Sequence, residues 1–144
     1  MLTEIKINEL YPHPDNPRKD IGDVSELAES IKNQGIFQNL TVIKGGAGVP
    51  KGKEGYTVII GHRRLAASKL AGLETLPCSV AQMDEREQIA TMLLENMQRS
   101  DLTYYEQAQG FQMMLDLGET QTTIAEKTGF SPATVSRRLQ LTKT

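Results

Sequence analysis

Residues 56–72 read YTVIIGHRRLAASKLAG. A β-branched run of strand length meets a glycine. Ten residues rich in Leu and Ala follow, and then a second glycine. No other stretch constrains the fold as tightly: a strand over 56–60 must hand over to a helix over His62–Ala71 at Gly61, and Gly72 stops that helix. Two arginines stand at the junction. A helix N-terminus offers unpaired N–H groups and a favourable dipole, and guanidinium forks match phosphate oxygens. The GHRR corner is therefore suited to hold an anion. It is equally compatible with an ordinary strand–helix corner that has a solvated basic rim.

The same signals organise the rest of the chain. Ile5 and Ile7 alternate with Glu4, Lys6 and Asn8, which predicts a half-buried strand over 4–10. YPHPDNPRKD carries three prolines and reads as a loop, with His13 exposed in it. Asp23 or Ser25 caps a helix with Val24, Leu27, Ala28 and Ile31 on its apolar face, ended by Gly35. Residues 40–43 and 78–80 read as short strands. Asp84 opens a helix over about 85–98 with Ile89, Met92, Leu93 and Asn96 on one stripe. Thr103 and Glu106 form a capping box for another helix, with Tyr105, Ala108, Phe111 and Leu115 inward and Gly118 at its end. The fold class is α+β. A small mixed-sheet domain over 1–82 precedes linking helices over 83–117 and a helical region over 118–144.

Composition narrows the function classes. At 38% hydrophobic and 24% charged the chain has the balance of a globular domain. No apolar run approaches the roughly 20 residues of a membrane span. MLTEIKINEL lacks the basic start and apolar stretch of a signal peptide, so a cytoplasmic location is expected. A single cysteine, Cys78, excludes an internal disulfide and a multi-cysteine metal site, and reads as a buried apolar residue. The net charge of −2 divides unevenly. Residues 118–144 hold Lys127, Arg137, Arg138 and Lys143 against Glu119 and Glu126, a local +2 that leaves −4 for the remainder.

That basic end reads TQTTIAEKTGFSPATVSRRL over 120–139. Ala125 permits a close helix crossing, Gly129 a tight turn, and Val135 packs the second helix on the first. Ser131 is an N-cap and Pro132 sits at the first helical position. These features predict a helix-turn-helix. Its second helix would present Ala133, Thr134, Ser136, Arg137 and Arg138 to a major groove from Ser131 onward, while Thr120 and Gln121 would meet a phosphate. A plain helical hairpin is the alternative. The last apolar position falls at Leu139, one residue after Arg138.

Two further segments need separate readings. In ENMQRSDL over 95–102, Glu95, Asn96 and Arg99 share a turn. A carboxylate beside an amide oxygen suits Mg²⁺ with phosphate, but a polar helix end with a Glu95–Arg99 pair explains the same residues. GGAGVPKGKEG over 45–55 is no phosphate loop of the Walker type, because Glu54 stands where Ser or Thr is needed. It reads as an exposed strand connector.

Asn16-Pro17-Arg18, Gly35 to Gln38, GHRR, ENMQRSDLTYYEQA and the helix-turn-helix, in that order, resemble the ParB family of partition proteins over about residues 3–142. The resemblance implies a ParB/Srx-like nucleotide-binding domain that takes CTP with Mg²⁺. It also implies a helix-turn-helix for a palindromic, centromere-like duplex and nucleotide-dependent closure of a dimer on DNA. Gln38, Leu40 and Val42 would line the cytidine pocket. Gly61, His62, Arg63, Arg64 and Ala67 would surround the triphosphate. Glu95 and Asn96 would hold Mg²⁺, and Arg99 would touch phosphate. A ParA-type ATPase partner, no membrane partner, and a nucleoid- or plasmid-associated place in the cytoplasm follow in the same way.

The chain departs from the family's GERRxRA box at two positions, His62 for Glu and Ala66 for the last Arg. The family acid is linked to hydrolysis, so a site that binds nucleotide better than it cleaves it is expected. Two other readings stand beside this one. One is a helix-turn-helix transcriptional or plasmid regulator that uses the first domain as scaffold, and the other is a ParB-like nuclease. Sulfiredoxin chemistry needs a thiol where this chain has His62.

Overall fold

The computed structural model describes residues 2–18, 21–35 and 38–143, in two compact units, Met1–Asp84 and Glu85–Thr144. Lys19 and Asp20, at the end of the proline loop, lie outside the described residues.

The first unit runs β1 (Leu2–Lys6), a 3-10 turn (Ile7–Glu9), β2 (Leu10–Pro12), α1 (Ser25–Gln34), β3 (Leu40–Lys44), β4 (Tyr56–Ile60), α2 (His62–Ala71) and β5 (Thr75–Ala81). The sheet order is β1-β5-β3-β4-β2. β5–β3 and β4–β2 are parallel and the other two pairings antiparallel, so the sheet is mixed as expected. Leu40 and Val42 on β3 and Val58 and Ile59 on β4, two of the three inner strands, are fully buried, which is why those strands read as apolar runs rather than alternations.

The single strand expected over 4–10 is two strands. β1 pairs with β5 at one edge and β2 with β4 at the other, so no straight strand could serve both. The 3-10 turn redirects the chain, pinned by the Ile7 N–H to the Glu74 carbonyl at 2.9 Å. Tyr11 and Pro12, expected in a loop, pair with Thr57 and Val58. Proline is tolerated there because β2 is an edge strand. β5 is longer than 78–80 because Leu76 as well as Cys78 points inward and Thr75–Ser79 pair with β1.

Neither candidate is the N-cap of α1, which is Val24 with no side-chain capping bond; Asp23, one residue earlier, accepts the Ser25 N–H at 2.9 Å and its hydroxyl at 2.6 Å. Ala28 and Ile31 of α1 pack on Ala67 of α2. The 45–55 connector folds over Thr57, whose hydroxyl donates to the Gly45 carbonyl at 2.6 Å and accepts the Gly48 N–H at 3.1 Å. A Cβ at Gly48 would lie 2.6 Å from the Pro12 carbonyl oxygen, so this glycine serves close packing and not phosphate binding.

The second unit is helical: α3 (Glu85–Met97), α4 (Tyr104–Asp116), α5 (Gln121–Thr128), α6 (Pro132–Gln140) and a short 3-10 turn (Leu141–Lys143). One core joins Leu93, Met97, Phe111, Met114, Ile124, Val135 and Leu139. The helices of 83–117, expected as a separate link, thus share their core with the C-terminal region. The buried stripe of α3 is Gln88, Met92, Leu93 and Met97, rotated from the expected one; Ile89 and Asn96 are half-buried. On α4 the buried residues are Ala108, Gly110, Phe111 and Met114, and Tyr105 is exposed. Gly110 explains the rotation, because a Cβ there would run into the Met97 sulfur where α3 and α4 meet. The Thr103–Glu106 capping box forms in both directions, at 2.9 and 3.1 Å. Those bonds hold the Glu106 carboxyl below the ordinary range.

Candidate functional site

Gly61 ends β4 and caps α2 in the left-handed conformation, φ 108° and ψ 27°. A Cβ there would meet Leu40 Cγ at 2.9 Å, so both the backbone angle and the space demand glycine. The first α2 bond is Leu65 N–H to the Gly61 carbonyl, 2.8 Å. The N–H groups of the first turn of α2 point out past its N-terminal end, as helix geometry requires. With two guanidiniums on the same turn, the corner has the donor set that an anion takes.

The arginines also make structural bonds. Arg63 Nε donates to the Ile21 carbonyl at 3.0 Å, and its Nη2 donates to the Asp23 carbonyl at 3.1 Å. Arg64 Nη1 donates to the Asn39 carbonyl at 3.0 Å. Each thus ties α2 to a segment flanking α1, and both remain half-exposed.

His62 faces elsewhere. Its Nε2 accepts the backbone N–H of His13 at 3.2 Å, and His13 Nδ1 accepts the Asp15 N–H at 3.0 Å. His13, expected to be exposed, is 5% exposed. Burial, helped by the neighbouring His13, pulls His62 down to about 4, so it is neutral at pH 7 and Nε2 is free to accept. A pocket of about 290 Å³ opens between the proline loop and α2, lined by Pro12, His13, Arg18, His62, Ala66 and Lys69 among others. Positions 62 and 66, the two departures from the family box, are four apart on α2 and line this one pocket.

Gln38 is exposed beside Asn39. The side chains of Leu40, Val42 and Ala67 are wholly buried. They cannot line an open pocket, and any part they take in holding a ligand passes through backbone groups. Burial pushes the Cys78 thiol up to about 11 and leaves it unreactive.

In the second unit Glu95 is exposed, and Asn96 Oδ1 accepts from Arg99 Nη1 at 3.3 Å. Arg99 forks onto Asp101, with Nη2–Oδ2 at 2.8 Å and Nε–Oδ1 at 3.1 Å, a partner that the spacing of Glu95 and Arg99 did not suggest. Glu95 and Asn96 offer at most three side-chain oxygens, one of which already accepts from Arg99. That fits Mg²⁺ only where phosphates and water complete the shell.

The helix-turn-helix forms over the expected residues. Thr120 accepts the Thr123 N–H and caps α5. Gly129 turns the chain at φ 82°. Ser131 accepts the Thr134 N–H at 3.1 Å and caps α6, with Pro132 at its start. Ile124, Val135 and Leu139 are buried and Ala125 nearly so. Gln121, Ser131, Ala133 and Arg137 are exposed; Thr134, Ser136 and Arg138 are half-buried. Arg138 departs from expectation. Its guanidinium carbon lies 3.6 Å from the centre of the Tyr104 ring, and its Nε donates to Gln107 Oε1 at 2.8 Å. It is turned onto α4.

A small mixed sheet with a glycine–arginine helix start, followed by a helix-turn-helix, defines a class of two-part proteins that join an α+β domain to a helical one. Residues 1–97 match the family profile described as ParB N-terminal domain, and the chain belongs to that family. It is 40% identical over 143 residues to the Stage 0 sporulation protein J of Bacillus subtilis, covering 97% of this chain and 48% of that protein. A C-terminally truncated chromosome-partitioning protein ParB from Caulobacter crescentus, solved with the centromeric parS site, matches with TM-score 0.80 and 30% identity over 96% of this chain and 71% of that one. A structure of the same protein complexed with CTP-gamma-S matches with TM-score 0.62 and 29% identity, over 99% and 79%. The chain spans about half the length of the curated relatives it matches.

Proposed function

We propose that the chain is the nucleotide-gated DNA-binding part of a chromosome-partitioning protein, with CTP and Mg²⁺ as its ligands. The observation that carries this is the α2 start: Gly61 in a conformation only glycine takes cheaply, the positive end of the helix dipole, and Arg63 and Arg64 on the same turn. The triphosphate lies there. Arg63 and Arg64 exchange carbonyl partners for phosphate oxygens, and Gln38 with the 38–42 backbone faces the base. The family resemblance assigns Glu95 and Asn96 to Mg²⁺ and Arg99 to phosphate. Bound Mg²⁺ neutralises phosphate charge, while this chain's own groups bind and orient. A nucleotide that contacts both segments favours whichever state makes both contacts, which is the basis for closing a dimer on a palindromic duplex. The ring of His62 is neutral and holds the proline loop, so it supplies no carboxylate, and binding exceeds turnover. A ParA-type ATPase is the partner the family resemblance suggests.

Calorimetry with Mg²⁺ and each of CTP, ATP, GTP and UTP tests the nucleotide reading, and equal affinities would end it. One observation favours a second reading: Arg63 and Arg64 already serve as ties between α2 and the segments around α1. On that reading the first unit is scaffold and the chain is a plain helix-turn-helix regulator. Footprints that are identical with and without nucleotide would select it.

A further inference from the structure

Arg138 is the sixth residue after Pro132, on the helix expected to read DNA. Sequence logic places it among the DNA contacts, but the structure spends its guanidinium inside the second unit. One face of the Tyr104 ring lies 3.6 Å from the guanidinium carbon, and the Nε–H points to Gln107 Oε1 at 2.8 Å. Tyr104 and Gln107 occupy the first turn of α4, Tyr104 within the Thr103–Glu106 capping box and Gln107 directly after it. Leu102, just before the cap, is buried in the helical core, and Asp101 takes the Arg99 fork. The start of α4 is therefore fixed on both sides: by core packing and capping at its own end, and by α6 across the joint.

A guanidinium stacked on a ring and bonded through Nε has one geometry, unlike a lysine ammonium on a flexible stem. Val135 and Leu139 set how deep α6 sits, because both are buried in the core. Their burial turns one face of α6 inward, but apolar contact has no directional preference, so the fine setting of the rotation about the helix axis is left open. The Arg138 joint is directional and supplies that setting. On the other faces of α6, Arg137 Nη2 bonds Thr134 Oγ1 at 3.2 Å within the helix itself, which leaves rotation open.

We infer that Arg138 is a positioning residue, which locks the rotation of the recognition helix against Tyr104 and Gln107 and thereby ties the DNA-reading face to the 99–103 segment. This rests on the DNA-binding reading of α6. It differs from a phosphate contact in a measurable way. A lysine or arginine on phosphate contributes to all duplexes alike and to the salt dependence, whereas a residue that aims the helix contributes to sequence discrimination only.

The test uses the 144-residue chain, a duplex selected by that chain from a random pool, and a random duplex of equal length, with affinities read over a salt series. Arg138→Ala should lower affinity for the selected duplex about tenfold. It should leave the random duplex and the salt slope unchanged. Tyr104→Ala should do the same, and the double variant should be no worse than either single one. Arg138→Lys should recover only part, since it keeps the cation and loses the Nε bond. Equal loss on both duplexes with a slope shallower by about 0.9 would make Arg138 a phosphate contact and overturn the inference. Additive effects of Arg138→Ala and Tyr104→Ala would overturn it as well.

Thermal unfolding of the unaltered chain, Arg138→Ala, Tyr104→Ala and their double variant decides the joint without DNA. Coupled losses of roughly 2–4 °C support it, and independent ones overturn it. If no duplex is selected at all, the DNA-binding reading of α6 fails and the melting cycle alone judges the joint.

Discussion

The backbone N–H of His13 donates to His62 Nε2 at 3.2 Å, fastening the proline loop to the first residue of α2. The residue that replaces an acid in the family box is thus a structural acceptor, and its neutrality is a condition of the bond.

Acid should loosen this fastening. His62 titrates near 4 in the folded chain, below the ordinary 6.5 for histidine, so the unfolded chain binds the extra proton first. Its contribution to stability is complete above about pH 6.5 and falls as the pH drops toward 4. Denaturant unfolding over that range should show a steeper loss in the unaltered chain than in His62→Gln, whose amide oxygen still accepts the His13 N–H. Parallel pH profiles would refute the assignment.

Restoring the family acid alone should be costly. His62→Glu places a carboxylate in the partly buried pocket that Ala66 lines four residues on, and its desolvation costs about 1–3 kcal/mol, which Arg18 and Lys69 of the same lining offset only in part. Adding Ala66→Arg supplies an i,i+4 partner and should recover part of that loss, so the double variant should melt higher than His62→Glu. In a chain that binds CTP, turnover should then be measured in the double variant, with the single one as control.

Gly61 is the least replaceable position at the helix start. Gly61→Ala forces a Cβ into the left-handed region and to within 2.9 Å of Leu40 Cγ, which predicts a loss of about 2 kcal/mol or more. Gly72→Ala, also at positive φ but with open space around it, should lose less. Chemical denaturation of the pair separates backbone strain from collision.

Ser68 is the opposite case. Its hydroxyl is buried and has no hydrogen-bond partner, in the middle of α2. Ser68→Ala removes the desolvated group and improves helix propensity, so the melting midpoint should rise by roughly 2–4 °C. A fall would mean that the hydroxyl bonds in solution.

Local chemistry made much of this legible. Gly61 and Gly72 bracket α2, Thr103–Glu106 and Ser131–Pro132 cap their helices, and Gly129 turns the helix-turn-helix, because each depends on residues within a few positions. The misread elements depended on distant partners. The chain over 4–12 splits into two strands because β5 lies on one side and β4 on the other, at Thr75–Ser79 and Tyr56–Val58. Tyr105 looked apolar by spacing, but Gly110 brings Met97 of α3 against another face of α4.

The site divides along the same line. Residue types and spacing alone determined that a basic strand–helix corner, a polar helix end and a helix-turn-helix follow one another, since backbone angles, caps and helical period are written locally. Only the tertiary structure decided what each side chain does there. His62 accepts from His13, 49 positions away, and Arg138 stacks on a helix that starts 34 positions before it. Leu40, Val42 and Ala67 disappear into the core. The physical reason is that a polar group's role is set by the partner that desolvates it, and packing brings that partner from elsewhere in the chain.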